Sequence, residues 1–183
     1  DDKERGVKTD RKHFFVKIPN MEVKNVFADS AKRWMLSNLE RSNRTGVFNA
    51  LWTGNTSALT TMISDLLFNT ISYHDYQESF YHAFLVGLLS NDNYKVESNY
   101  ENGLGRSDIV IKDSRQRRAA VIELKRSKTG NDLEILCSHA LEQIQRERYA
   151  EKIKNDGYRE VLAYGITFFK KDCLVLKDVS IGK

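Results

Sequence analysis

The sequence predicts an α/β fold in which a mixed central β-sheet is flanked by helices and preceded by a helical extension. Three observations predict it. Up to about residue 90, apolar residues recur at helical spacing; between 94 and 126 the pattern changes to short, β-branched runs; and beyond 132 one long amphipathic stretch leads into two more strand-like runs. Helix, three strands, helix, two strands is an order that one mixed sheet can accommodate.

Taken in order, residues 1–12 are polar and charged and read as a frayed remnant or linker. Phe14 to Ile18 reads as a short extended segment stopped by Pro19-Asn20. Val23, Val26, Phe27, Ala31, Trp34, Met35 and Leu39 predict a helix from Met21 to about Glu40. Gly46 and Gly54-Asn55 punctuate, and a second helix runs from Thr56 to Phe68 with Leu59, Met62, Ile63, Leu66 and Leu67 inward. A third runs from about Asp75 to Ser90 and carries Phe80, Phe84, Leu85, Leu88 and Leu89. After the turn cluster Asn91-Asp92-Asn93 come strands at about 94–101, 107–113 and 118–126. The first two form a hairpin closed around Asn102-Gly103-Leu104-Gly105, where glycine permits positive φ. One helix from about Asp132 to Asn155 ends at Gly157, followed by strands at Val161–Phe169 and Cys173–Leu176. The expected division is a helical connector over 1–72 and an α/β domain over 73–183.

At 183 residues the chain is long enough for one good core. No apolar run approaches the roughly 20 residues needed to span a bilayer, and no signal peptide opens the chain. It begins Asp1-Asp2-Lys3, so it is expected to be a piece of something longer. Cys137 and Cys173 sit singly within regular patterns, which fits a cytoplasmic protein better than a disulfide framework or a zinc site. The net charge of +4 permits an anionic partner without demanding one. The local clusters say more: Arg115, Arg117 and Arg118 precede the third strand, while Lys125, Arg126 and Lys128 follow its charged end. A solvated basic edge is one reading; nearness in sequence to acidic residues favours a surface that faces phosphates.

Those acids are Asp108, in Ser107-Asp108-Ile109-Val110-Ile111, and Glu123, in Ala119-Ala120-Val121-Ile122-Glu123-Leu124-Lys125. Side chains alternate along a strand, so Glu123 and Lys125 emerge on one face and Leu124 on the other. Two carboxylates from neighbouring strands suit a hard divalent cation. Such a cation acidifies a water and offsets charge on a phosphate, and a lysine beside it orients that water. The bland alternative is a surface salt bridge between Lys125 and either acid. An acid-x-lysine pair at the charged end of an apolar strand, with a second acid after a glycine turn, weighs against it.

With those residues in place, the chain resembles the PD-(D/E)XK phosphodiesterase superfamily. The resemblance rests on Glu78-Ser79-Phe80-Tyr81-His82, Gly103-Leu104-Gly105-Arg106-Ser107-Asp108-Ile109, Ile122-Glu123-Leu124-Lys125 and Ala140-Leu141-Glu142-Gln143-Ile144. More narrowly, these motifs resemble a bacterial subfamily in which a nuclease-like domain follows an AAA-type ATPase-like domain. Ser107 stands where the superfamily's name has proline; proline offers no ligand, so the acids are unaffected. No G-x-x-x-x-G-K-[ST] phosphate loop occurs, so nucleotide hydrolysis is not expected of this stretch.

The resemblance implies a restriction-endonuclease-like core and cleavage of nucleic acid, DNA ahead of RNA, with Mg²⁺ or Mn²⁺. Asp108, Glu123 and the Leu124 carbonyl would hold the metal, Lys125 would position the attacking water, and Gln143 and Glu78 would support them. Each has a plainer reading: Glu78 completes a helix-capping box with Asp75, and Gln143 is an exposed glutamine. His82 either contacts phosphate or Glu78, or is a hydrogen-bonded structural histidine. Arg106 either grips phosphate or pairs with Glu101, itself a candidate helper. Tyr149, a third of a turn round from Gln143, reads as core or rim. Arg117, Arg118, Arg126 and Lys128 are the other candidates for the nucleic-acid backbone. The rival function is a catalytically inactive nuclease-fold module that binds DNA or a protein partner beside an ATPase domain; a purely structural interaction domain is a third.

Overall fold

The computed structural model describes residues 44–70, 78–101 and 106–178. The extended segment at 14–18, the helix at 21–40, the Asp75 end of the capping box and the hairpin turn at 102–105 lie outside them, as do the side chains of Glu101 and Arg106. Among the described residues ten elements follow one another: helices α1 (Arg44–Thr53), α2 (Thr56–Thr70) and α3 (Glu78–Leu89), strands β1 (Lys95–Glu101), β2 (Arg106–Asp113) and β3 (Arg118–Arg126), helices α4 (Leu133–Arg146) and α5 (Tyr149–Asn155), and strands β4 (Glu160–Phe169) and β5 (Asp172–Lys177). The sheet is five-stranded, in the order β1-β2-β3-β4-β5. β3 and β4 are parallel and the other neighbours antiparallel. This is the mixed sheet the pattern predicted, with α4 and α5 making the crossover that a parallel pair requires.

Alternation along the strands builds a core on each face. Ile109, Ile111, Ala120, Ile122, Leu124, Tyr164, Ile166 and Phe168 join the buried side chains of α1, α2 and α3. Val110, Ala119, Val121, Val161 and Ala163 join Ile144 of α4 and Tyr149, Ala150 and Ile153 of α5. Asp108, Glu123 and Lys125 share the strand parity of this second face. Among the described residues no helix is long and apolar enough to cross a membrane.

Two expectations about the helices need correction. The stretch around Gly46 is not loop punctuation but α1, which buries Val47, Phe48, Leu51 and Trp52. Its polar residues and internal glycine masked the spacing; Gly54, at φ +71°, then ends it and Asn55 caps α2 through the Ala58 N–H at 3.0 Å. The Arg44 guanidinium donates to the carbonyls of Leu88 (2.7 Å) and Ser90, satisfying the end of α3. The second correction concerns 132–155, which is two helices. The inward stripe of Cys137, Ala140 and Ile144 would continue at 148, an arginine. Arg148 instead adopts left-handed φ 52°, ψ 34°, and this single residue rephases the chain so that Tyr149, Ala150 and Ile153 turn inward.

Candidate active site

The site forms where the sheet's pairing fails. β2 and β3 pair from Asp113↔Arg118 to Ile109↔Ile122 and stop; the next rung would have set Asp108 opposite Glu123. On its other edge, β2 pairs with β1 at Ser98↔Ile109 and Tyr100↔Ser107, skipping Asn99 and Asp108. Asn99 is left-handed, at φ 55°. Asp108 therefore lacks ladder partners on both sides, and side chains take their place. Its Oδ2 accepts the Leu124 N–H at 2.8 Å, and its carbonyl accepts from His82 Nε2 at 3.1 Å. A carbonyl only accepts, so the proton sits on Nε2 of His82. Ser98 Oγ lies 3.2 Å from the same nitrogen. A strand residue aims its N–H and C=O to the same side, so the Leu124 carbonyl is also directed toward the gap beside Asp108.

Glu123 is 3 % exposed. Lys125 Nζ donates to Glu123 Oε1 at 3.1 Å and to Gln143 Oε1 at 2.8 Å. The lysine has three donors, so two are committed and one remains for a water or a phosphate oxygen. Gln143 reaches across because α4 lies tightly on the sheet. At Gly165, which pairs with Glu123, a Cβ would collide with the Cys137 carbonyl and come within 3.1 Å of Ala140 Cβ. Burial, and then the Asp108 carboxylate, push the Glu123 carboxyl up to about 7 against the opposing pull of Lys125.

Glu123 Oε2 is buried with no hydrogen-bond partner, and so is the Tyr149 hydroxyl. Burial, Glu123, Glu147 and Asp108 push the Tyr149 phenol up to about 12, which sets that hydroxyl in the field of the acid pair. The break at Arg148 is thus what brings Tyr149 toward the acids; a continuous helix would have turned it away. An unpartnered buried carboxylate oxygen, a second carboxylate and a backbone carbonyl form an all-oxygen donor set that fits a hard divalent cation. Among the described residues, no three His, Cys, Asp or Glu side chains converge.

The other expected residues fall elsewhere. Glu78, in the first turn of α3, is exposed and does not join the acid pair. Arg117 and Arg118 lie at the opposite end of β3 from Glu123, about 16 Å away at ~3.3 Å per residue. Sequence proximity does not become spatial proximity, because the strand runs between them. Arg117 Nε donates to the Gly157 carbonyl, while Arg118 pairs with Asp113 at 3.0 Å and covers the Trp52 ring. Arg126 and Lys128, by contrast, sit just past Lys125. His82 contacts the backbone of Asp108 rather than Glu78. Its alignment behind Asp108 follows from a missing rung, for which the local sequence carries no signal beyond the Asn-Tyr-Glu-Asn run.

A family model for the PD-(D/E)XK nuclease superfamily matches residues 76–178, more than half of the chain. No curated protein and no solved structure gives a significant match.

Proposed function

Since the chain belongs to the PD-(D/E)XK nuclease superfamily, we propose that it is an active, divalent-metal-dependent nuclease that hydrolyses phosphodiester bonds, in DNA ahead of RNA. One observation carries this reading: an acid from each strand flanks the point where the β2–β3 ladder stops, with a lysine bonded to one of them and steadied by a glutamine. Asp108, Glu123 and the Leu124 carbonyl would hold Mg²⁺ or Mn²⁺, which supplies charge neutralisation on the phosphate and a more acidic water. The Lys125 ammonium, held from two sides, directs its remaining proton at the attacking water or a phosphate oxygen. Gln143 acts through that lysine. His82 acts through the Asp108 backbone, and the Tyr149 phenol lies within the field of the acids. The resemblance adds an ATPase-like module on a longer chain as the working neighbour of this domain.

The test is nicking of supercoiled plasmid with Mn²⁺ by the parent, Asp108→Ala and Lys125→Ala, alongside calorimetric titration of Mn²⁺ into the parent and Glu123→Gln. Each alanine variant is expected to lose roughly 100-fold or more in rate, the scale on which single electrostatic groups act. Glu123→Gln is expected to lose saturable Mn²⁺ binding. Equal nicking by all three proteins would trace the activity to a contaminant and defeat the proposal. DNA binding without parent-specific cleavage would instead identify an inactive binding module.

A further inference from the structure

The carboxyl ends of the parallel pair β3 and β4 frame a cavity of about 130 Å³ that the catalytic reading leaves unused. Tyr81, Arg126, Ser127, Lys128, Phe169 and Lys170 line it. All three of its charged side chains are cationic, and no acid lines it. It is smaller than the ~300 Å³ at which pockets begin to hold whole small molecules, so it suits a compact group.

Its walls are fixed by bonds of the backbone, Ser127 and Tyr81, and the Lys170 ammonium lies over the Phe169 ring, 5.0 Å from its centroid. The Ser127 N–H donates to the Phe168 carbonyl at 2.8 Å, carrying the parallel pairing one residue past the end of β3. Ser127 Oγ accepts the N–H groups of Gly130 (2.8 Å) and Thr129 (3.2 Å) and donates to Asp132, which locks the loop leading into α4. That loop rests on the Phe169 ring, because Gly130, at φ +83°, has no Cβ to strike it. On the far side, the Tyr81 hydroxyl donates to the Lys170 carbonyl at 2.7 Å, and the Tyr81 ring stacks on Phe168 at 4.4 Å. Lys170 itself is left-handed, at φ 54°, a conformation that carries strain for a lysine. It presents the turn between β4 and β5 at the cavity rim.

Position completes the argument. Ser127 follows Lys125 by two residues and Glu123 by four, a reach of about 7–13 Å along an extended chain. Phosphates recur about every 3.4 Å of axis along one strand of a duplex. We infer that this cavity, through Lys128, Lys170 and Arg126, binds a backbone phosphate of the substrate strand two to four nucleotides from the bond being cleaved. The inference rests on the nuclease reading and deepens it: the cavity fixes the strand's register against the acid pair without reading its bases.

The test measures binding of a DNA single strand by fluorescence anisotropy over a range of KCl, in EDTA so that cleavage is silent. The probes are the unmodified strand and a series carrying one neutral methylphosphonate, moved one position at a time. Lys128→Ala/Lys170→Ala is expected to weaken binding of the unmodified strand about tenfold and to lower the slope of log K against log salt by about 0.7, the share of one phosphate on a single strand. With Mn²⁺ and the same strands, the parent is expected to spare the bond two to four positions from the neutral linkage, whereas the double variant cuts that bond as it cuts the others. Lys128→Glu checks the sign and should weaken binding further. An unchanged slope, or a neutral linkage that alters the cut pattern of parent and double variant equally, overturns the inference while leaving the nuclease reading standing. A parent that binds no DNA even at low salt sinks both.

Discussion

Glu123 carries the sharpest consequence at the scale of single residues. Its carboxyl is raised from 4.5 to about 7 in the folded protein. Between those two values the folded state keeps a proton that the unfolded chain releases, so stability falls as pH rises through this window, and the penalty is complete above about pH 7. Glu123→Gln removes the penalty. It should raise the stability of the metal-free protein at pH 8 by up to about 3 kcal/mol and change little near pH 4. Urea unfolding at the two pH values checks this, and destabilisation at pH 8 would contradict it. Mn²⁺ should raise the midpoint of the parent far more at pH 8 than at pH 5, because at pH 5 it competes with the proton. The strand placement of Asp108, Glu123 and Lys125 was legible because a two-residue alternation is local. Gln143 became legible only through the four-motif resemblance, since its spacing alone is that of an ordinary helix. The backing of Asp108 by His82 and the approach of Tyr149 to the acids were not legible. The first needs a skipped rung between strands, and the second needs one left-handed arginine.

Among the elements, strands were read to within a residue or two because β-branched runs between turn residues are strong signals. Helices fared worse where spacing met interruption. α1 hid behind Gly46, and the α4–α5 joint hid inside a run that looks amphipathic throughout, because nothing local marks Arg148 as left-handed. The most consequential contact between elements is that of α4 on β4 at Gly165. Gly165→Ala places a methyl group against the Cys137 carbonyl and forces helix and strand apart. The expected cost is about 1–3 kcal/mol, the range for overpacking. The same displacement draws Gln143 away from Lys125, so nicking should fall even at temperatures where the variant remains folded. Midpoints from urea unfolding and rates measured well below them separate the two effects; full activity in a destabilised variant would show that the helix does not steer the lysine.

Across the whole molecule, the helices of 44–70 and the sheet share one core, in which Leu67 of α2 is fully buried with Phe84, Ile122 and Phe168. Tyr164 of β4 donates its hydroxyl to the Leu51 carbonyl of α1, a further tie across the layer. Leu67→Ala, far from the acids in sequence, should therefore destabilise the whole by about 2–5 kcal/mol. Far-UV circular dichroism and tryptophan fluorescence should report the same shifted midpoint, whereas two separated transitions would mean that α2 melts alone. None of this tie between early helices and late strands could be read from the chain, since it depends on which face of the sheet each helix covers.

The left-handed joint at Arg148 separates two levers. The helix before it holds the lysine's amide partner, and the helix after it carries the phenol that stands near the acids. Both levers meet at Glu123, one through Lys125 and the other through the field around its phenol, so the penalties on turnover of lesions on opposite sides of that hinge should depart from a simple product.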